Sequence, residues 1–245
     1  VASVLCTATP AGAEAGTGTG TGVDPEALAT LKQMTDHLGG LQRFSVHGHG
    51  TLEVVLVSGQ KLQFDNDLTL LVERPNRLLA TRRGEIAEQR FVYDGKSLTF
   101  LNPEGGGFYA TVAAPATLEA MLDFARDELD LVAPAADLLY ADAYEALTSD
   151  MTAGFVVSRK AMLGDEACTH VAFRKPGVDI QLWISNAPDH LPRKYVLTTT
   201  DMAADPQFIL TLSDWDPAPK TDAKSFEFVA PKGATRVDFL PAAAH

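Results

Sequence analysis

The sequence predicts an α+β fold, a curved antiparallel β-sheet (half-barrel) with helices packed against its concave face. Three observations lead there. Two tracts, residues 44–113 and 154–240, consist of short β-branched and aromatic segments punctuated by turn signals. Segments with apolar residues at helical spacing precede the first tract and separate it from the second. Within each tract nothing fits the helical crossover that parallel strands require, so neighbouring strands run antiparallel. The order helix, sheet, helices, sheet is that of an α+β domain.

Composition agrees with a folded domain. The chain has 245 residues, 46% hydrophobic and 21% charged, enough for one large β-rich domain or two small ones. A chain of this size buries roughly 70% of its unfolded surface, so it needs no disulfide, metal or cofactor for stability. The formal net charge of -12 opposes nucleic acid and anionic lipid, because phosphate binding requires basic side chains. Of the two cysteines, Cys6 falls in a segment expected to be removed, and Cys168 reads as a small buried strand residue.

The amino terminus reads as an export signal. The chain begins at Val1, which suggests a piece of a longer precursor; Val1–Leu5 resembles the end of an apolar leader core, and Ala13-Glu14-Ala15 fits the A-x-A cleavage pattern. Gly16 to Gly22 alternates glycine with threonine and is too poor in apolar groups to pack. Residues 1–15 are therefore expected to be a signal-peptide remnant, 16–23 a flexible linker and 24–240 a single periplasmic domain. Leu5, where a small residue would be needed, argues against lipidation of Cys6. No later stretch approaches 18 uncharged apolar residues, so no transmembrane helix is expected.

The elements follow in order. Asp24-Pro25-Glu26 supplies an N-cap, a first-turn proline and a first-turn acid; Leu28, Leu31, Met34 and Leu38 form one apolar stripe; Gly39-Gly40 ends the helix. Strands are predicted at 44–50, 51–58, 61–72, 77–83, 86–93, 97–101 and 107–112. Turns fall at Ser58-Gly59, Arg74-Pro75-Asn76, Arg83-Gly84, Asp94-Gly95 and Asn102–Gly106. Leu118, Met121, Leu122, Ala125 and Leu129 mark a second helix, with Glu119, Asp123 and Asp127 facing water. Pro134 opens another through Leu138, Leu139 and Tyr140, and a short one follows through Tyr144 and Leu147. Strands return at 154–162, 167–175, 179–185, 193–200, 208–215 and 225–228, with a last piece at 235–240. Ile180, Leu182 and Ile184 alternate with Gln181, Trp183 and Ser185, so each strand has one buried face.

Three stretches resemble lipoprotein-carrier proteins of the LolA/LolB type: Glu73-Arg74-Pro75-Asn76-Arg77 at a strand corner, Tyr93 to Pro103 as the following hairpin, and Phe226 to Ala234 as the closing F-x-F-x-x-P-x-G element. The second half is similar to a family of predicted periplasmic proteins of unknown function, through Ala136 to Tyr140, Gly164 to Arg174, Asp179 to Ile184 and Leu191 to Lys194. The resemblance spans about residues 24–240. It implies a half-barrel with a hydrophobic concave face, which in the carriers holds acyl chains, and it brings no catalytic residues. Fold alone does not assign function, since enzymes and stress sensors share it.

Chemical motifs are weak throughout. His47 and His49 share one strand face, but two histidines without a third ligand are poor evidence for metal, and exposed strand histidines are the plainer reading. Asp65-Asn66-Asp67 lacks the glycine and distal glutamate of a calcium loop and reads as a β-turn. Asp123 and Asp127 lie opposite the apolar stripe and read as solvated. Cys168 and His170 are two apart, with no strained nucleophile elbow near them. Gly105-Gly106-Gly107 joins strands and is followed by no Lys-Ser/Thr, so it is no phosphate loop.

The aromatic and apolar set Phe91, Tyr93, Phe100, Tyr109, Leu138, Tyr140, Phe173, Trp183 and Tyr195 is left as the candidate lining of a concave apolar pocket, with Leu138–Tyr140 as its lid or plug. The expected function is non-enzymatic binding or carriage of a hydrophobic small molecule or lipidated protein. The alternatives are an envelope interaction or sensor module with a protein partner, and a cofactor-free enzyme, for which His170 is the nominee.

Overall fold

The Asp24 side chain accepts a hydrogen bond from the Glu26 N–H at 2.9 Å and starts helix α1, Pro25–Gly40. Its buried face is Ala27, Leu31, Met34, Thr35 and Leu38, at the spacing the sequence predicts. The computed structural model describes residues 22–104, 107–131 and 133–239. The A-x-A site, the Gly/Thr tract before Gly22 and Cys6 lie outside the described residues.

A 12-stranded open sheet follows. Its first half is the meander β1 (Arg43–Val55), β2 (Lys61–Glu73), β3 (Arg77–Gly84), β4 (Glu88–Tyr93), β5 (Ser97–Asn102) and β6 (Phe108–Ala113). Its second half is β7 (Ala153–Leu163), β8 (Glu166–Lys175), β9 (Val178–Ser185), β10 (Pro192–Thr199) and β11 (Gln207–Asp216). Strand β11 pairs with β1, which joins the two meanders into one sheet of order β12-β6-β5-β4-β3-β2-β1-β11-β10-β9-β8-β7. Pairing is antiparallel except for the short β12 (Thr235–Arg236), which runs parallel to β6.

Between the meanders lie α2 (Leu118–Asp127), a 3-10 turn at Ala136–Leu139 and α3 (Ala143–Thr148). Together with α1 they cover one end of the concave face. The core joins Leu31, Met34 and Leu38 of α1 and Met121 of α2 to Phe44, Val72, Tyr93, Leu182 and Tyr195 of the sheet.

Five local expectations differ from the structure. The strands expected on either side of Gly50 are one continuous β1. Gly48 and Gly50 lie on its concave face, where a Cβ would come within 2.9 Å of Leu210 and 3.0 Å of Asn66; neighbouring side chains occupy that space and the ladder is uninterrupted. Asp65-Asn66-Asp67 is no turn but lies within β2, and the Asn66 side-chain amide donates to the Gly50 carbonyl at 3.2 Å. The helix expected after Pro134 is only a 3-10 turn, and α2 stops before Leu129. The strand expected at 225–228 begins instead as a 3-10 turn, Ala223–Phe226, closed by a capping box between Asp222 and Ser225.

That last segment crosses the convex side of the first meander. Phe226 is buried beneath the Arg77 guanidinium, Phe228 packs on Tyr109 with ring centroids 5.1 Å apart, and the Thr221 hydroxyl donates to Glu73.

Candidate functional site

The concave face changes character along its strands. Register places Phe44, Val46, Gly48, Gly50 and Leu52 of β1 on one face with Val72, Leu70, Leu68, Asn66 and Phe64 of β2. Leu212, Leu210 and Phe208 of β11 continue that face, as do Tyr195 and Leu197 of β10. On the other flank Leu78 and Ala80 meet Tyr93 and Phe91, which meet Leu98 and Phe100. At one end of the strands, under the helices, these side chains are buried: Phe44, Val46, Val72, Tyr93, Leu98 and Tyr195. Toward the other end the same face is only half-buried, at Leu52, Phe64, Leu68, Phe91, Phe100, Leu197 and Phe208. Leu52, Phe64 and Phe100 lie beyond the packed cluster altogether. Helices α1 to α3 and the 3-10 turn are too short to cover the whole trough.

A second opening lies at the covered end, where α1 leaves the sheet. It is a cleft of about 750 Å³ over Leu41, Leu163, Leu191, Leu212 and Trp215. Its size is in the range of small-molecule sites. The rim is charged but satisfied: Arg193 donates to Glu166 at 2.7 Å and stands 3.5 Å from Asp189, and the Ser185 hydroxyl also donates to Glu166.

The nine residues nominated from sequence divide into four groups. Phe91 and Phe100 face each other across β4 and β5 on the half-open part, with ring centroids 5.2 Å apart. Tyr93, Leu138, Phe173 and Tyr195 belong to the closed core. The Tyr93 hydroxyl donates to the Pro115 carbonyl at 2.5 Å. Tyr195 is fully buried, and its hydroxyl has no partner among the described residues. Tyr140 is held by polar contacts, donating to Asp123 at 2.8 Å and accepting from Arg126 at 3.3 Å, and burial pushes its pKa up to about 12.

Tyr109 and Trp183 are corrections, because both project from the convex face. Tyr109 pairs in register with Leu101 and lies under Phe228. Trp183 stacks on His170 at 3.8 Å, with Lys194 over its ring at 4.9 Å. Neither can line a concave pocket. Sequence reasoning missed Leu52, Phe64, Leu197 and Phe208 as half-open trough residues. Their alternation was visible, but their distance from the helices was not.

The polar candidates find local explanations. Cys168 is fully buried with its thiol toward the Glu166 carbonyl, while His170 pairs with Gln181 at 3.2 Å. Burial pushes the thiol up and the imidazole down, opposite to what a thiolate–imidazolium pair requires. His49 contacts Asp67 at 3.0 Å and His47 approaches Asp214 at 3.5 Å, both on the exposed convex side. Among the described residues, no group of three or more His, Cys, Asp or Glu side chains converges as a metal site. Glu119, expected to be solvated, bridges the buried Arg74 and the Ala141 N–H. Asp137 rides on the 3-10 turn, where burial raises its pKa against the opposing pull of Lys175 and Arg126. None of the described helices is long and apolar enough to cross a membrane.

A family model described as "Predicted periplasmic protein (DUF2092)" matches residues 27–240, from α1 to beyond β12. The chain belongs to the DUF2092 family. No protein of curated function matches this DUF2092 member. Solved structures align with it over most of their length. An uncharacterized conserved protein from Thermus thermophilus aligns at 11% identity over 87% of this chain and 99% of that one, with a TM-score of 0.50. LprF from Mycobacterium bovis aligns at 18% identity over 82% and 97%, with a TM-score of 0.49. A LolA superfamily protein from Nitrosomonas europaea aligns at 12% identity over 82% and 97%, with a TM-score of 0.37.

Proposed function

We propose that this DUF2092 protein is a non-enzymatic periplasmic carrier or binder of a hydrophobic ligand, a lipid or the acyl chain of a lipidated protein, held in the half-open part of the trough. Residues 24–240 form the single domain that does this, after export on a cleaved leader.

The observation that carries the reading is the burial gradient on one continuous face. Stability favours covering apolar side chains, yet the row from Phe100 and Phe91 to Phe208 and Leu197 stays partly open. An alkyl chain laid along it would gain about 0.8 kcal/mol per buried methylene, so ten methylenes supply roughly 8 kcal/mol before ordering costs. A net gain of about 8 kcal/mol would be micromolar binding, so after those costs a chain of this length binds more weakly than that. Phe91 and Phe100 are the nominated residues that remain in the proposed site. Leu52, Phe64, Leu197 and Phe208 join them.

Native mass spectrometry of protein purified from cells tests this. Lipid is expected to co-purify, and Phe208→Asp is expected to release it. A ligand-free mass, with no rise in melting temperature on adding lipids, overturns the reading. The solid packing around Tyr93, Leu138, Phe173 and Tyr195 favours a second reading, an envelope interaction module with a protein partner and no ligand.

A further inference from the structure

We infer that the trough selects amphiphiles with an anionic head, a carboxylate or a phosphate ester, and that Arg82 binds that head; this rests on the carrier reading above. Arg82 lies in β3 at the register position between Leu68 of β2 and Gln89 of β4. It therefore shares the concave face with Leu68, Ala80 and Phe91, inside the half-open row.

Three observations single it out. Arg82 is half-buried, yet among the described residues no carboxylate pairs with it. Arg74 pairs with Glu119, Arg77 with Glu73 and Arg83 with Glu88, whereas Arg90, which like Arg82 has no carboxylate partner among the described residues, projects from the convex face. A guanidinium held beside apolar side chains without a counter-charge is unfavourable, and an incoming anion removes that penalty. Its planar fork matches carboxylate and phosphate oxygens in a bidentate way. Finally, residues 74–90 carry five arginines against two glutamates, Glu85 and Glu88, in a chain whose net charge is -12. Of the arginines in β3 and β4, Arg77, Arg83 and Arg90 project from the convex face, so Arg82 is the one whose charge faces the trough. An alkyl chain lying against Phe91 and Phe100 would place its head within reach of β3.

The test uses cis-parinaric acid, which fluoresces when its chain leaves water, and its uncharged methyl ester, with hexadecyl phosphate as a competitor. Wild-type protein is expected to bind the acid at least roughly tenfold more tightly than the ester. Arg82→Gln is expected to weaken the acid to the level of the ester and leave the ester unchanged; Arg82→Lys should retain part of the preference. Displacement by hexadecyl phosphate but not hexadecanol shows that phosphate heads share the site, and displacement by neither restricts it to carboxylates. Equal affinity of the wild type for acid and ester overturns the Arg82 assignment while leaving the carrier reading intact, as does a preference that survives Arg82→Gln. If Arg82→Gln fails to fold, the wild type decides by salt: the preference should shrink as ionic strength rises, and a salt-independent preference overturns the assignment. Absence of binding to any of the probes overturns both.

Discussion

The Arg74 guanidinium lies 3.4 Å from the Glu119 carboxylate, which joins the corner between β2 and β3 to the first turn of α2. Arg74 is 6% exposed and Glu119 33%. The same carboxylate accepts from the Ala141 N–H at 3.2 Å, and the Leu118 N–H donates to the Pro75 carbonyl at 2.8 Å. One acidic side chain thus ties together the sheet corner, α2 and the segment before α3. The contact is made by Nη1; Nε and Nη2 of Arg74 have no hydrogen-bond partner among the described residues, and burial lowers its pKa against the pull of Glu119.

Removing Glu119 leaves that buried cation uncompensated. Glu119→Ala is expected to destabilise the fold by about 3 kcal/mol, at the lower end for a broken buried pair because Glu119 keeps some solvent contact. Urea unfolding monitored by tryptophan fluorescence measures it. A loss below about 1 kcal/mol would mean the pair behaves as an ordinary surface contact.

Adjacent glycines at the end of α1 should respond in opposite directions. In an exposed helix position, Gly→Ala is expected to gain about 0.5–1 kcal/mol. A Cβ added at Gly40 would meet nothing within 4 Å, so Gly40→Ala should show that gain. At Gly39 a Cβ would come 2.4 Å from the Ala141 carbonyl oxygen, a backbone atom. Gly39→Ala should therefore lower the melting temperature despite its better helix propensity, and the paired melts would show opposite shifts.

Asp137 makes stability depend on pH. Burial raises its pKa above the ordinary aspartate value of 3.8. The folded state then binds more protons than the unfolded state between 3.8 and the raised value, so stability falls as pH climbs through that window. Asp137→Asn is expected to flatten that part of the profile and to raise stability at neutral pH. Urea midpoints measured from pH 4 to pH 7 check both; a variant with the wild-type slope would place Asp137 in a solvated setting.

Much of this architecture was legible from local pattern. The α1 cap and stripe, the hairpins at Asp94-Gly95 and Arg83-Gly84 and the alternation of Ile180, Leu182 and Ile184 all carry their cause within a few residues. Misreadings arose where the cause is distant. Gly50 looks like a strand break until Asn66 is seen to occupy its concave side, as Leu210 does beside Gly48. Phe226 has the look of a strand residue, but its partner is a sheet face more than a hundred residues earlier. Trp183 is the exception, since its alternation with Leu182 sets it on the opposite face by local geometry.

What the amino-acid order determined alone was which side chains share a face, because the two-residue period of a strand and the 3.6-residue period of a helix are local geometry. Which face curls inward, and how far the helices reach along it, depended on the β1–β11 pairing and on the lengths of α1, α2 and α3. Those are matters of long-range register and of the volume the helices fill. Only the folded trough could therefore show Phe91 and Phe100 left partly open and Tyr93 and Tyr195 sealed inside.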